Sequence, residues 1–175
     1  MIKKIRNIIV VLLVLELLSC SGIETLPVIP YIEFKEFTLS EDVDDLGNKI
    51  LSGLLLFTFQ DGDGDVGLHE PDTIMPGDTS NFNLFFTLYE KIEGEYIEVP
   101  EEELGAPLYY RIPFIEREGQ NKTLKGDIEV EFEYLEIEYD TIRYSFYILD
   151  RQLHKSNVDT TPDISFTGYS LDEYK

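Results

Sequence analysis

Three aspartates, Asp61, Asp63 and Asp65, alternate with Gly62 and Gly64 in the stretch FTFQDGDGDVGLHE, residues 57–70. Carboxylates so spaced suit calcium, a hard cation that collects roughly six to eight oxygen ligands. Glycine between them lets the backbone curl around an ion, and three like charges held close together repel one another unless a cation sits among them. Magnesium fits less well, because it retains its waters rather than entering a cage built only of protein oxygens. The competing reading is a flexible polar turn, with aspartate and glycine present for backbone geometry alone.

The spacing resembles the first, third and fifth ligand positions of an EF-hand or dockerin loop, and Asp72 falls at the twelfth. The departures from that pattern are specific. Val66 stands where the loop has its glycine, Gly67 comes one residue late, Pro71 precedes the last acid, and no helical periodicity flanks the segment. The expectation is therefore a calcium loop on a β scaffold. Asp61, Asp63 and Asp65 form its core, and Asp72, Asp150 or Asp159 supply further ligands.

Other chemistry has thinner support. His69 and His154 lie in two loops with carboxylates nearby, but no HExxH or comparable spacing links them to a zinc site. Ser156 close to His154 is the one local nucleophile and base pair, and no G-x-S-x-G elbow accompanies it. Acids are so abundant that some pair of carboxylates at glycosidase spacing is inevitable and carries no weight. The chain reads as non-enzymatic.

The elements that must position these residues are strands. From residue 31 onward the hydrophobic period is two, with β-branched and aromatic residues dominant. In DIEVEFEY, Ile128, Val130, Phe132 and Tyr134 alternate with Glu129, Glu131 and Glu133, which gives one buried and one acidic face. The phase changes at Tyr134 and Leu135, where a bulge or a switch of sheet is expected. Further strands are expected at about 31–39, 49–60, 82–90, 95–99, 107–113, 141–150 and 163–168. Seven or eight short strands predict an all-β, immunoglobulin-like or fibronectin-III-like β-sandwich spanning 31–175 as a single domain. In that topology the loops after the strands ending at Gln60 and Asp150 share a pole. Residues 61–80 are then expected beside DRQLHKSNVDTTP, residues 150–162.

The start of the chain has a different character. MIKKIRN is a short basic leader, and IIVVLLVLELL is too short to span a bilayer as a helix, so residues 1–19 read as a signal peptide. The segment ends LLSC, which resembles a bacterial lipobox. That resemblance implies diacylglyceryl attachment to Cys20, cleavage before it and acylation of the freed amine. Two or more buried acyl chains hold a protein firmly on its membrane. Residues 20–30, with Pro27 and Pro30, read as the lipidated cysteine and a tether reaching at most about 35 Å.

The formal charge of the whole chain is −21. Loss of the leader removes Lys3, Lys4 and Arg6 against a single acid, Glu16, and so makes the mature chain more acidic still. Nucleic acid is excluded as a partner, since phosphate binding needs clustered cations. The same field attracts divalent cations. Cys20 is the only cysteine, and once lipidated it leaves the domain with neither a disulfide nor a catalytic thiol.

Taken together, the lipobox, FTFQDGDGDVGL and IRYSFYILDRQLHKSN resemble a group of uncharacterised lipoproteins of Bacteroidetes. These share an F-x-D-G-D-G-D-[IV]-G-L segment and a late aspartate followed by a basic loop containing Ser-Asn. The resemblance implies a sandwich fold and an outer-membrane location, on either its periplasmic or its surface side, and it implies no activity. DTI at 72–74 and DTT at 159–161 resemble the pattern at which Bacteroidetes O-glycosylate secreted proteins, which makes Thr73 and Thr160 candidate modification sites. The function expected is a lipid-anchored, non-enzymatic protein whose calcium-binding loop pole recognises an envelope protein or a glycan. The alternatives are an assembly subunit that binds no ion and a carboxylate- or metal-dependent hydrolase.

Overall fold

A computed structural model describes residues 26–44, 46–71, 78–116 and 122–171. Cys20, Asp72 and Thr73 lie outside the described residues, as does the signal peptide. The described chain is all-β apart from one 3-10 turn at Glu101–Glu103. Its strands are β1 (Tyr31–Val43), β2 (Lys49–Asp61), β3 (Leu84–Ile92), β4 (Glu95–Glu98), β5 (Tyr109–Tyr110), β6 (Leu124–Tyr134), β7 (Thr141–Ile148), β8 (Asp159–Thr160) and β9 (Ile164–Ser165).

They form two antiparallel sheets packed as a β-sandwich. The first has the order β1-β2-β6 and the second β4-β3-β7-β8, with β5 also on β3 and β9 also on β7. β2 is the central strand of the first sheet, and its inward positions Leu51, Leu55, Phe57 and Phe59 are buried. β7 is central in the second, where Ile142, Tyr144, Phe146 and Ile148 alternate inward. The two inner faces meet in aromatic contacts. Phe57 lies 5.1 Å from Phe146, Phe86 5.2 Å from Phe132, and Phe132 stacks on Tyr144 at 4.6 Å. Such pairs add about 0.5–1.5 kcal/mol each beyond the area they bury. The hydroxyls of Tyr134 and Tyr144 meet at 3.1 Å, and burial pushes both phenols far above the ordinary range, so both stay neutral.

Two local features depart from plain alternation. β1 carries an irregularity between Phe34 and Glu36, and the extra residue, Lys35, resets the parity so that Phe34 and Phe37 both pack on the core. The phase change after Tyr134 is neither a bulge nor a change of sheet: β6 ends there, and Ile137 and Tyr139 pack against the core from an irregular segment. The expected strand at 107–113 is reduced to β5, because after Tyr110 the chain runs toward the loop after β2 and forms a bridge between Pro113 and Leu68. Between β3 and β4, Glu93 and Gly94 both have positive φ, 51° and 90°. That is the signature of a two-residue type I′ hairpin turn.

The end of the expected tether, residues 26–30, lies against the domain, with Val28 and Ile29 exposed. The Pro27 carbonyl accepts the Gly62 N–H at 2.9 Å, and Pro30 is buried.

Candidate metal centre

The position of the first aspartate follows from strand parity. Leu55, Phe57 and Phe59 point inward along β2, and the next inward position is Asp61, which is 0% exposed. A carboxylate at the end of a core-facing row has to find polar partners, because burying it bare is costly. Its Oδ2 accepts the backbone N–H groups of Asp65 and Val66 at 2.7 and 3.0 Å. These two bonds fold the loop back over the carboxylate.

The glycines permit that curl and the crowding around it. Gly64 has φ +70°, and a Cβ there would fall on the Lys122 carbonyl. A Cβ at Gly62 would collide with the carbonyls of Leu26 and Pro27, and one at Gly67 (φ +102°) would lie 2.5 Å from the Pro113 carbonyl. Val66, at the position where an EF-hand has glycine, is fully buried in the core and cannot be spared from it.

One carboxylate oxygen from each of Asp61, Asp63 and Asp65 lies within 4.8 Å of those of the other two. Among the described residues, the Oδ1 atoms of all three are buried and lack hydrogen-bond partners. Burial pushes the Asp61 carboxyl up to about 6; the neighbouring charges of Asp63 and Asp65 push the same way, and the two N–H bonds oppose them. Asp65 is raised as well, first by burial and then by Asp150 and Asp63, with Gln152 and Arg151 opposing. The three carboxylates thus bring together more negative charge than the surrounding protein groups stabilise. Its donors are all oxygen, the set that suits calcium and not zinc.

The loop after β7 closes over this one. Val66 and Asp150 form an antiparallel bridge, the Arg151 N–H donates to the Asp65 carbonyl at 3.2 Å, and the Arg151 guanidinium donates to the Gly67 carbonyl at 3.0 Å. The Gln152 side-chain amide donates to Asp63 and Asp65 at 3.0 and 3.2 Å. Gln152 was not singled out by sequence reasoning; its only signal was membership of the loop expected at this pole.

Asp150 is not among the three carboxylates that converge. It is 1% exposed, and its oxygens are engaged within its own loop. Oδ1 accepts the N–H groups of Gln152 and His154, both at 2.8 Å, and Oδ2 meets His154 Nδ1 at 2.8 Å. Asp159 is engaged elsewhere, accepting the Phe34 N–H of β1 at 2.6 Å.

The remaining candidates have separate partners. His69 stacks on Phe114 at 3.8 Å between ring centres. Ser156 is buried; its Oγ accepts the Ile148 N–H and donates to the Asn157 carbonyl, which makes it a loop staple rather than a nucleophile facing His154. Thr160 lies in β8 with its side chain exposed. No family model, curated protein or solved structure matches the chain.

Proposed function

We propose that the chain is a non-enzymatic lipoprotein of the bacterial outer membrane, anchored through acylated Cys20, whose aspartate pole binds calcium and presents a recognition surface to an envelope protein or a glycan. The observation that carries the ion is the convergence of Asp61, Asp63 and Asp65, with a buried oxygen on each that lacks a partner. A bound cation supplies what those oxygens lack and relieves the repulsion that raises Asp61. The immunoglobulin-like reading is supported by the strand order, β1-β2-β6 against β4-β3-β7-β8, and by the meeting of the loops after β2 and β7.

Thermal melting with added calcium tests the ion. Binding to the folded state alone contributes about 2.7 kcal/mol at a hundredfold excess over Kd, a rise of several degrees that is absent in Asp63→Asn. No rise at millimolar calcium rejects the reading. The anchor is tested by incorporation of labelled fatty acid, which must be lost in Cys20→Ala.

One observation favours the second reading, an assembly subunit that binds no ion. Gly62, Gly64 and Gly67 each have a packing reason of their own, so the Asp-Gly alternation does not by itself require a cation.

A further inference from the structure

The two edges of the first sheet are treated differently. At the β1 edge, side chains from across the sandwich take the main chain: the Ile32 N–H donates to Asn157 Oδ1, Asn157 Nδ2 donates to the Ile32 carbonyl, both at 2.9 Å, and the Phe34 N–H reaches Asp159. At the other edge, β6 pairs with β2 on one flank only. Among the described residues, no strand or side chain takes the main chain of Ile128–Tyr134 on its outer flank.

A cleft of about 750 Å³ opens beside that flank, between the end of β6 and the segment 103–108. Its floor is the margin of the core, where Phe132 and Tyr144 are buried and Tyr134 and Tyr110 are half-buried. Glu103, Glu131, Glu133, Glu136 and Glu138 also line it, and among the described residues no Lys, Arg or His does. An unpaired strand edge is a row of N–H and C=O groups ready for another strand. Glutamates at alternate positions of one face repel one another unless cationic side chains lie across from them.

The geometry points to β6 as a docking edge for an extended peptide of a partner protein, in which basic residues alternate with apolar ones. The peptide main chain pairs with the outer flank of β6, its apolar side chains enter the cleft, and its lysines or arginines lie against Glu131 and Glu133. This is strand addition, in which main-chain bonds give affinity and alternate side chains give specificity. The cleft lies toward the Tyr134 end of β6. The aspartates adjoin the Leu124 end, about 30 Å away along the strand, so the inference does not depend on ion binding.

The probe is a capped, fluorescently labelled Lys-Val-Lys-Val-Lys-Val-Lys peptide, with anisotropy measured on the full domain in EDTA. Two further versions carry backbone N-methyl groups, one on the lysines and the other on the valines. A strand presents alternate N–H groups to opposite edges, so one methylated version must lose binding at least tenfold and the other must keep it. Glu131→Lys combined with Glu133→Lys, with its fold checked by circular dichroism, must also lose at least tenfold, and amide exchange at 129–134 must slow when the peptide binds. Equal binding of both methylated versions, or unchanged binding to the double variant, shows nonspecific adhesion to an acidic surface and overturns the proposal. Absence of binding by the unmethylated peptide overturns it too, and leaves the glutamates as charges that keep the edge unpaired.

Discussion

Val66 and Asp150 face each other across an antiparallel bridge, and both are almost entirely buried. The bridge joins the loop after β2 to the loop after β7 and so ties the aspartate curl to the loop that carries Gln152. It also separates the roles of two acids. Asp61 faces the cluster, while Asp150 shapes the loop that closes on it.

Asp150→Ala leaves the Gln152 and His154 N–H groups without their acceptor and is expected to cost about 2–3 kcal/mol. Because this role is structural, the loss must be present in EDTA. Urea unfolding with and without calcium decides the matter. A destabilisation seen only with calcium makes Asp150 a ligand and refutes the role given to it here.

Metal-free stability should carry a pH dependence due to Asp61. Its carboxyl is held at about 6 in the folded state against an ordinary 3.8, so the folded state binds that proton more tightly than the unfolded one. The contribution is fully present below about pH 4 and is lost as pH rises through 6. The lowered carboxyls of Asp44, Asp78 and Asp163 have the opposite sign and act below that window. Comparing urea midpoints of the wild type and Asp61→Asn between pH 4 and 7 in EDTA isolates the effect. The wild type should lose ground to the variant across the window, and calcium should stabilise the wild type progressively more as Asp61 ionises. Parallel curves contradict the assignment.

Two glycines with positive φ separate conformational strain from crowding. Gly47 (φ +87°) has nothing near its missing Cβ, whereas a Cβ at Gly64 (φ +70°) would strike the Lys122 carbonyl. Gly47→Ala is expected to cost about 1 kcal/mol for the left-handed angle alone. Gly64→Ala is expected to cost at least about 3 kcal/mol, because backbone must move as well. Equal costs in chemical denaturation would mean that the segment at Lys122 yields freely and does not enclose the loop.

Strand parity accounts for what was legible in the sequence. The alternation in DIEVEFEY and in the β7 run is strict enough to mark their core-facing sides, and the loops after β2 and β7, expected to share a pole, meet at the Val66–Asp150 bridge. The same parity, carried one step past Phe59, would have marked Asp61 as core-facing. What periodicity could not reach are contacts made by single side chains across long separations. Asn83 is an example: it is buried in the loop pole, its Oδ1 accepts the Ile112 N–H at 2.7 Å, and its backbone binds Tyr110 and Leu149. Nothing local to FNL at 82–84 announces that junction. The reduction of 107–113 to β5 has the same origin, since Pro113 is drawn to Leu68 by tertiary pairing rather than by its own propensity.

The hydrogen bond between Gly62 and Pro27 also fixes where the chain enters the domain, which is the aspartate end. A lipid on Cys20 would hold that end within roughly 20 Å of the bilayer, since only five residues lie between Cys20 and Leu26. The domain would then stand on its aspartate end. If the proposed calcium binding holds, the ion would be drawn from the layer of headgroups and their counterions rather than from open solvent, and any partner at that pole would have to approach along the membrane plane. The Tyr134 end of β6 and the cleft beside it would lie at the far end of the domain, within reach of whatever arrives from outside that layer.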